Sequence, residues 1–166
     1  MIRNFLFSFF FFSGIILISI IFIPSFFLPQ NIALFGGKIM GFWASFCLRF
    51  FLKTTIIIKG KENIINNSKF FIAASHQSMF ETFFLQTIFN SPVFILKKEL
   101  LIIPIFGWYL KKIGSISIKR NKIAKENLGF FHDILKLINT SNRPLIIFPQ
   151  GTRLLPEERT TFKKGA

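Results

Sequence analysis

The sequence predicts an α/β fold in which helices flank a mixed or largely parallel sheet, preceded by an N-terminal membrane helix or hairpin. From residue 53 onward, short apolar runs alternate with helix-like segments, a pattern typical of parallel sheets. Before that point, residues 5–27 are apolar almost without interruption, which is long enough to cross about 30 Å of hydrocarbon as a helix. We therefore expect a membrane anchor at 1–52 and an α/β domain at 53–166.

The anchor contains two apolar segments of different character. A cleaved signal peptide is the alternative for residues 5–27, but the run is too long and no small-x-small site follows it. The second segment, 32–52, carries Lys38 and Arg49 and three glycines. It predicts an interfacial or re-entrant helix paired with the first, with its basic residues near lipid headgroups.

The elements of the domain follow from its apolar runs and their Gly and Pro boundaries. Strands are predicted at 54–59, 70–74, 92–96, 115–118 and 144–148. Helices are predicted at 78–89, at 101–112 with breaks at Pro104 and Gly107, and at 122–139. In such sheets functional sites gather beyond the carboxyl ends of the strands.

The composition combines 51% hydrophobic residues with 21 Lys+Arg against 7 Asp+Glu, a net charge of +14. This suits a protein on an anionic membrane surface, where each nearby cation contributes about 1 kcal/mol. The basic residues also favour a cytoplasmic location, which a hairpin entering and leaving on one side would satisfy. Nucleic-acid binding is not expected, because the lysines are scattered and no basic helix appears. The single cysteine, Cys47, excludes an intrachain disulfide and predicts a buried small side chain.

The first polar cluster follows the strand at 70–74. His76 stands at the strand end and Glu81 lies five residues later, so the two can form a dyad across a strand-to-helix turn. The carboxylate would fix one imidazole tautomer and leave the other nitrogen able to take a proton. The alternative is a solvated histidine beside a helix-surface glutamate.

Two further clusters follow later strands. Lys119 and Arg120 end the fourth strand, where they can hold a phosphate or be ordinary solvated charges. Gly151, Thr152 and Arg153 follow the fifth strand and form either an anion site or a simple turn.

Taken together, the three clusters resemble the 1-acylglycerol-3-phosphate acyltransferase family in order and spacing. Residues 76–81 are similar to its H-x4-D motif, 114–120 to G-x-x-x-I-x-R, and 148–153 to F-P-E-G-T-R. The resemblance covers about 53–166, and it implies a glycerolipid-acyltransferase-like α/β fold.

The resemblance also implies roles for individual residues. His76 would be the general base, and Glu81 would orient it and stabilise its charge. Substrate phosphate would be held by Arg120, Gly151, Thr152 and Arg153. The reaction implied is acyl transfer from an acyl thioester to lysophosphatidic acid, giving phosphatidic acid.

The implied partners are membrane phospholipids, lysophosphatidic acid, and acyl-coenzyme A or acyl-carrier protein as donor, with no cofactor and no metal. The implied location is the cell inner membrane, with the catalytic part facing the cytoplasm.

The sequence departs from the family pattern in ways that bear on activity. Glu81 replaces the commoner Asp, Gln150 replaces the Glu of the third motif, and Lys119 stands where an acid is frequent. The family continues past the third motif with a helix and a further strand, so we expect the C-terminal part to be missing. The alternatives are therefore an inactive truncated remnant, or a transferase acting on another lysolipid acceptor.

Overall fold

The computed structural model describes residues 1–64, 70–89, 91–118, 128–153, 155 and 157. The helices in this part are α1 (Ile2–Ile21), α2 (Gln30–Leu52), α3 (Phe80–Ile88), α4 (Phe106–Lys112) and α5 (Leu128–Thr140). The strands are β1 (Phe71–Ala73), β2 (Val93–Lys97), β3 (Ile116–Ile118) and β4 (Leu145–Ile147).

The four strands form one sheet in the order β1–β4–β2–β3, and every neighbouring pair is parallel. This confirms the predicted α/β class with a parallel sheet. Ile146 of the central strand β4 is fully buried, and Val93, Ile116 and Phe130 pack together on one side of the sheet. Because all four strands run the same way, their carboxyl ends meet at one edge.

The predicted strand at 54–59 is wrong. These residues form a segment without regular secondary structure after α2, and none of the described strands pairs with them. Lys53 ends α2 in a left-handed conformation with φ of 57°, and the Thr54 N–H still bonds to the Leu48 carbonyl at 3.2 Å. A β-type composition does not make a strand without a hydrogen-bonding neighbour.

Two predicted helices have different boundaries in the structure. The helix expected at 101–112 is a 3-10 turn at Lys98–Ile102 followed by α4, so the predicted break at Pro104 is confirmed, since proline interrupts the backbone ladder. The predicted break at Gly107 is wrong, because Gly107 lies inside α4. The helix expected at 78–89 begins at Phe80. Of the helix expected at 122–139, residues 122–127 lie outside the described part, and α5 covers the rest.

Helices α1 and α2 form an antiparallel hairpin joined by a 3-10 turn at Ile23–Phe26. The Arg3 Nε atom donates to the Phe51 carbonyl at 2.9 Å, and the Trp43 Nε1 atom donates to the Phe10 carbonyl at 3.2 Å. Both helices are long and apolar enough to cross a membrane by length and composition. In the most apolar 18-residue stretch of each helix, 11% of the residues of α1 are buried, compared with 44% of those of α2. Helix α1 therefore presents much more apolar surface without a protein neighbour.

Helix α2 also packs against the domain. Its Ala44 and Cys47 are fully buried with Phe11 of α1 and Phe83 of α3 in one cluster, which agrees with the buried cysteine predicted. A second cluster joins Ala33 and Leu34 of α2 to Ile113 after α4. The hairpin is thus part of the domain core.

Hydrogen bonds join α4 to the connection between α1 and α2. The Tyr109 hydroxyl donates to the Ser19 carbonyl at 2.6 Å, and the Lys112 ammonium donates to the Phe26 carbonyl at 3.2 Å. The Gln30 side-chain amide donates to the Lys112 carbonyl at 3.0 Å. These bonds satisfy backbone carbonyls at the C-terminal ends of α1, the 3-10 turn and α4, where helices leave such groups unpaired.

The same Gly→Ala change at two helical positions tests the contact between α2 and α3. A Cβ at Gly41 would lie 2.5 Å from the Phe83 carbonyl oxygen, whereas nothing lies within 4 Å of a Cβ at Gly129. We expect Gly41→Ala to destabilise the chain by about 1–3 kcal/mol through overpacking, and Gly129→Ala to stabilise α5 by about 0.5–1 kcal/mol. Thermal unfolding in detergent, followed by circular dichroism, measures both. Equal shifts would show that α2 and α3 do not meet closely.

Candidate active site

The loop between β1 and α3 begins at the carboxyl edge of the sheet. The Ala74 N–H bonds to the Ile147 carbonyl at 2.9 Å, which extends the pairing of β1 with β4 by one residue. His76 follows two residues later. The predicted histidine therefore stands directly beyond the strand end, beside the loop that leaves β4.

The Glu81 carboxylate organises this loop. Its Oε1 atom lies 2.7 Å from His76 Nδ1 and accepts from the Gln77 and Ser78 backbone N–H groups, each at 2.9 Å. Its Oε2 atom accepts from the Ser78 hydroxyl at 2.6 Å. The Ser78 oxygen in turn accepts from the Phe80 N–H at 3.1 Å, at the first turn of α3. One carboxylate thus holds both the imidazole and the turn that carries it.

These bonds determine which ring nitrogen is available. A carboxylate can only accept, so the Nδ1 atom of His76 carries the proton and Nε2 keeps its lone pair. Burial by itself favours the protonated carboxyl, but the hydrogen bonds from Ser78 and His76 outweigh it and hold the pKa of Glu81 below its ordinary value of 4.5. The His76 and Glu81 side chains are each 18% exposed. The pair is an ionised carboxylate and an oriented imidazole that solvent still reaches.

Gln150 joins the β4 loop to the backbone of His76, a role that the sequence did not predict. Its Oε1 atom accepts from the His76 N–H at 2.7 Å, and its Nε2 atom donates to the Ser75 hydroxyl at 3.1 Å. The Phe148 ring lies against the imidazole, with 4.4 Å between the ring centroids. Because both ends of the Gln150 amide are used, a neutral side chain suffices to organise this loop.

Three of the four residues expected to hold phosphate lie in the loop after β4, at the carboxyl edge of the sheet. Gly151 is buried, takes a φ of 69°, and closes a turn through its N–H to the Phe148 carbonyl at 3.0 Å. Thr152 and Arg153 follow it and are exposed. Arg120 lies outside the described residues.

Lys97 is a further cation at this edge. It is the last residue of β2, the strand that lies between β4 and β3, and its side chain is exposed. Its position at a strand end was the signal available in the sequence, where it was only one of several scattered lysines.

Within the described ranges, no three His, Cys, Asp or Glu side chains are grouped as a metal site would require.

A comparison with known protein families identifies the family of this chain. Residues 55–166 match the protein family described as Acyltransferase. The chain belongs to that family. The match covers all four strands and the His76–Glu81 pair.

Two relatives with more specific names are similar to this chain. A 1-acyl-sn-glycerol-3-phosphate acyltransferase from Pseudomonas aeruginosa is 37% identical over 111 residues, which are 65% of this chain and 41% of that protein. One from Saccharomyces cerevisiae is 30% identical over 122 residues, 72% of this chain and 40% of that protein. The chain therefore spans about two fifths of the length of these relatives.

A solved structure shows the same fold. The crystal structure of the 1-acyl-sn-glycerophosphate acyltransferase PlsC from Thermotoga maritima superposes with a TM-score of 0.72 at 26% identity. The similarity covers 98% of this chain and 67% of that one. The N-terminal hairpin of this chain is therefore included in the similarity.

The pH dependence of stability tests the Glu81 hydrogen bonds. Because the pKa of Glu81 is lowered in the folded chain, its contribution is complete above the ordinary carboxyl value and is lost as pH falls through the folded value. We expect Glu81→Gln to be less stable than the native chain near pH 7, with the difference shrinking below about pH 4.5. Denaturant titrations between pH 7 and pH 3 measure it. Exposed Glu62→Gln is the control, and a pH-independent difference for Glu81→Gln would contradict the prediction.

Proposed function

We propose that this chain transfers an acyl group from an acyl thioester to the free hydroxyl of 1-acylglycerol-3-phosphate, giving phosphatidic acid. The observation that carries the proposal is the 2.7 Å contact between His76 Nδ1 and Glu81 Oε1, beyond the end of β1. The names of the relatives from Pseudomonas aeruginosa and Saccharomyces cerevisiae support the choice of substrate.

The chemistry follows from the tautomer that Glu81 selects. His76 Nε2 takes the proton of the acceptor hydroxyl while that oxygen attacks the thioester carbonyl carbon. The imidazolium then returns the proton to the departing thiolate, so a C–O bond replaces a C–S bond and no net proton is used. Ionised Glu81 stabilises the imidazolium between the two steps.

The acceptor phosphate binds at the basic side of the same edge. The residues proposed for it are Arg120, Gly151, Thr152 and Arg153, with Lys97 added from the structure. Arginine suits this task because its guanidinium can bond two phosphate oxygens at once, and the buried turn at Gly151 brings backbone close to the ligand.

The donor is acyl-coenzyme A or acyl-carrier protein, and no cofactor takes part because the thioester is already activated. Both donors are anionic, and the net charge of +14 favours their approach.

The reaction takes place at the cell inner membrane, with the domain on the cytoplasmic side. The α1–α2 hairpin enters the lipid, and its outer face supplies the apolar surface for that contact. A hairpin that enters and leaves on one side keeps the basic domain on that side.

Loss of the base tests the reaction. We expect His76→Ala to lower the rate of acyl transfer about 10²–10⁴-fold, because the substitution removes the proposed general base. The assay supplies lysophosphatidic acid and a radiolabelled acyl thioester to the full chain in detergent, with exposed His132→Ala as the matched control. Product formation at an unchanged rate by His76→Ala would refute the assignment of His76 as the general base. Absence of product from the folded native chain would refute the function itself.

Charges on the outer face of α1 test the membrane contact. Phe9 and Ile16 are 58% and 59% exposed, and an aspartate in hydrocarbon costs about 2.5–3.5 kcal/mol. We expect Phe9→Asp with Ile16→Asp to reduce co-flotation with lipid vesicles after detergent removal while the fold is retained. The same change at exposed Phe131 and Leu135 of α5 is the control. Equal losses in the two variants would place the attachment outside α1.

A further inference from the structure

A groove runs between α2, the extended segment after it, and the last two turns of α3. It encloses about 610 Å³. The first turn of α3 carries Glu81, but none of the candidate active-site residues lines the groove. The cavity is therefore separate from the His76–Glu81 pair, although the two share one helix.

The floor of the groove is aromatic. Phe42, Phe46 and Phe50 recur every fourth residue along α2 and form one stripe, with Phe84 of α3 opposite. The Phe46 and Phe50 rings stack with centroids 5.5 Å apart. All three α2 rings are exposed, so the stripe offers a flexible apolar chain a continuous surface parallel to the helix.

The end of the groove near the last turn of α2 is cationic. Arg49, Lys53 and Lys61 line it, and none of the described lining residues is acidic. The Lys53 ammonium lies 5.7 Å from the centroid of the Phe50 ring, so charge and apolar floor are adjacent. The first two cations also suit the C-terminal end of a helix. Lys61 belongs to a separate 3-10 turn, and the helix end does not explain its presence.

We propose that this groove binds one anionic membrane phospholipid, with an acyl chain along the aromatic stripe and its phosphate at Arg49, Lys53 and Lys61. A free phosphate would leave the floor unused, and an uncharged acyl chain would leave three cations without a partner. The cations also lie where the chain leaves the hairpin, which is the level of the headgroups when the hairpin is inserted. The choice of a membrane lipid rests on the membrane contact proposed for the hairpin, but not on acyl transfer, since binding is measured without turnover.

Two neighbouring residues give a matched test. Ile58 lines the groove, whereas Ile57 does not, and both are exposed, at 46% and 71%. Ile58→Glu adds a carboxylate beside the three cations, and Ile57→Glu adds the same charge to the same segment outside the groove. Because both side chains are exposed, both variants are expected to fold, and circular dichroism checks this.

Native mass spectrometry of the full chain in neutral detergent measures lipid retained on titration with phosphatidylglycerol or with phosphatidylcholine of the same acyl chains. We expect one tightly retained phosphatidylglycerol and at least tenfold weaker binding of phosphatidylcholine. Ile58→Glu should weaken phosphatidylglycerol binding at least tenfold and Ile57→Glu less than twofold. Arg49→Gln should weaken phosphatidylglycerol binding about fivefold, because each cation contributes about 1 kcal/mol to the binding of an anionic lipid.

Three results would overturn the proposal. Equal weakening by Ile57→Glu and Ile58→Glu would mean general attraction to a basic surface. No weakening by Ile58→Glu or Arg49→Gln would place the lipid elsewhere. Displacement of phosphatidylglycerol by millimolar glycerol phosphate would show that the aromatic stripe contributes nothing.

Discussion

The parallel pairing of β1 with β4 is the constraint on which the candidate site depends. The two strands are joined in register from Phe71 and Leu145 onward, and their carboxyl ends release two loops at the same edge. Gln150 reaches the backbone of His76 across 74 positions of sequence because of that pairing. An antiparallel arrangement of the same two strands would send the loops to opposite edges, and neither the Gln150 bond nor the Phe148 contact would exist.

The parts of the fold that were predictable are those whose signal is local. The apolar runs that became β1, β2, β3 and β4 are bounded by Gly, Pro or polar residues, and all four were expected. Residues 54–59 have the same composition but no described neighbour to bond with, and pairing is a property of two segments. Glycines weakened the helix signal of α2. In the structure, Gly36 and Gly41 lie where Phe22 and Phe83 approach most closely, so these residues permit packing.

The contacts of the candidate site also fall into those that local sequence predicts and those that depend on the sheet topology. The contact between His76 and Glu81 was predictable because only four residues separate them in the sequence. The replacement of Asp by Glu is accommodated by four donors around one carboxylate. Gln150 and Phe148 belong to another loop, so their contacts with His76 needed the sheet topology. The phosphate-binding roles of Thr152 and Arg153 remain predictions, since the structure gives the place of these exposed residues after β4 and no contact with a ligand. Arg120 lies outside the described residues.

The burial of α2 on two sides has a consequence for how this protein can evolve. One side of the helix belongs to the hairpin and the other covers α3, with Cys47 and Ala44 inside a cluster shared by three helices. An unrelated helical hairpin could not replace this one by recombination, because it would lack the small residues that fit against Phe83. The hairpin and the domain therefore have to diverge together, and a chain that loses its hairpin loses part of its core.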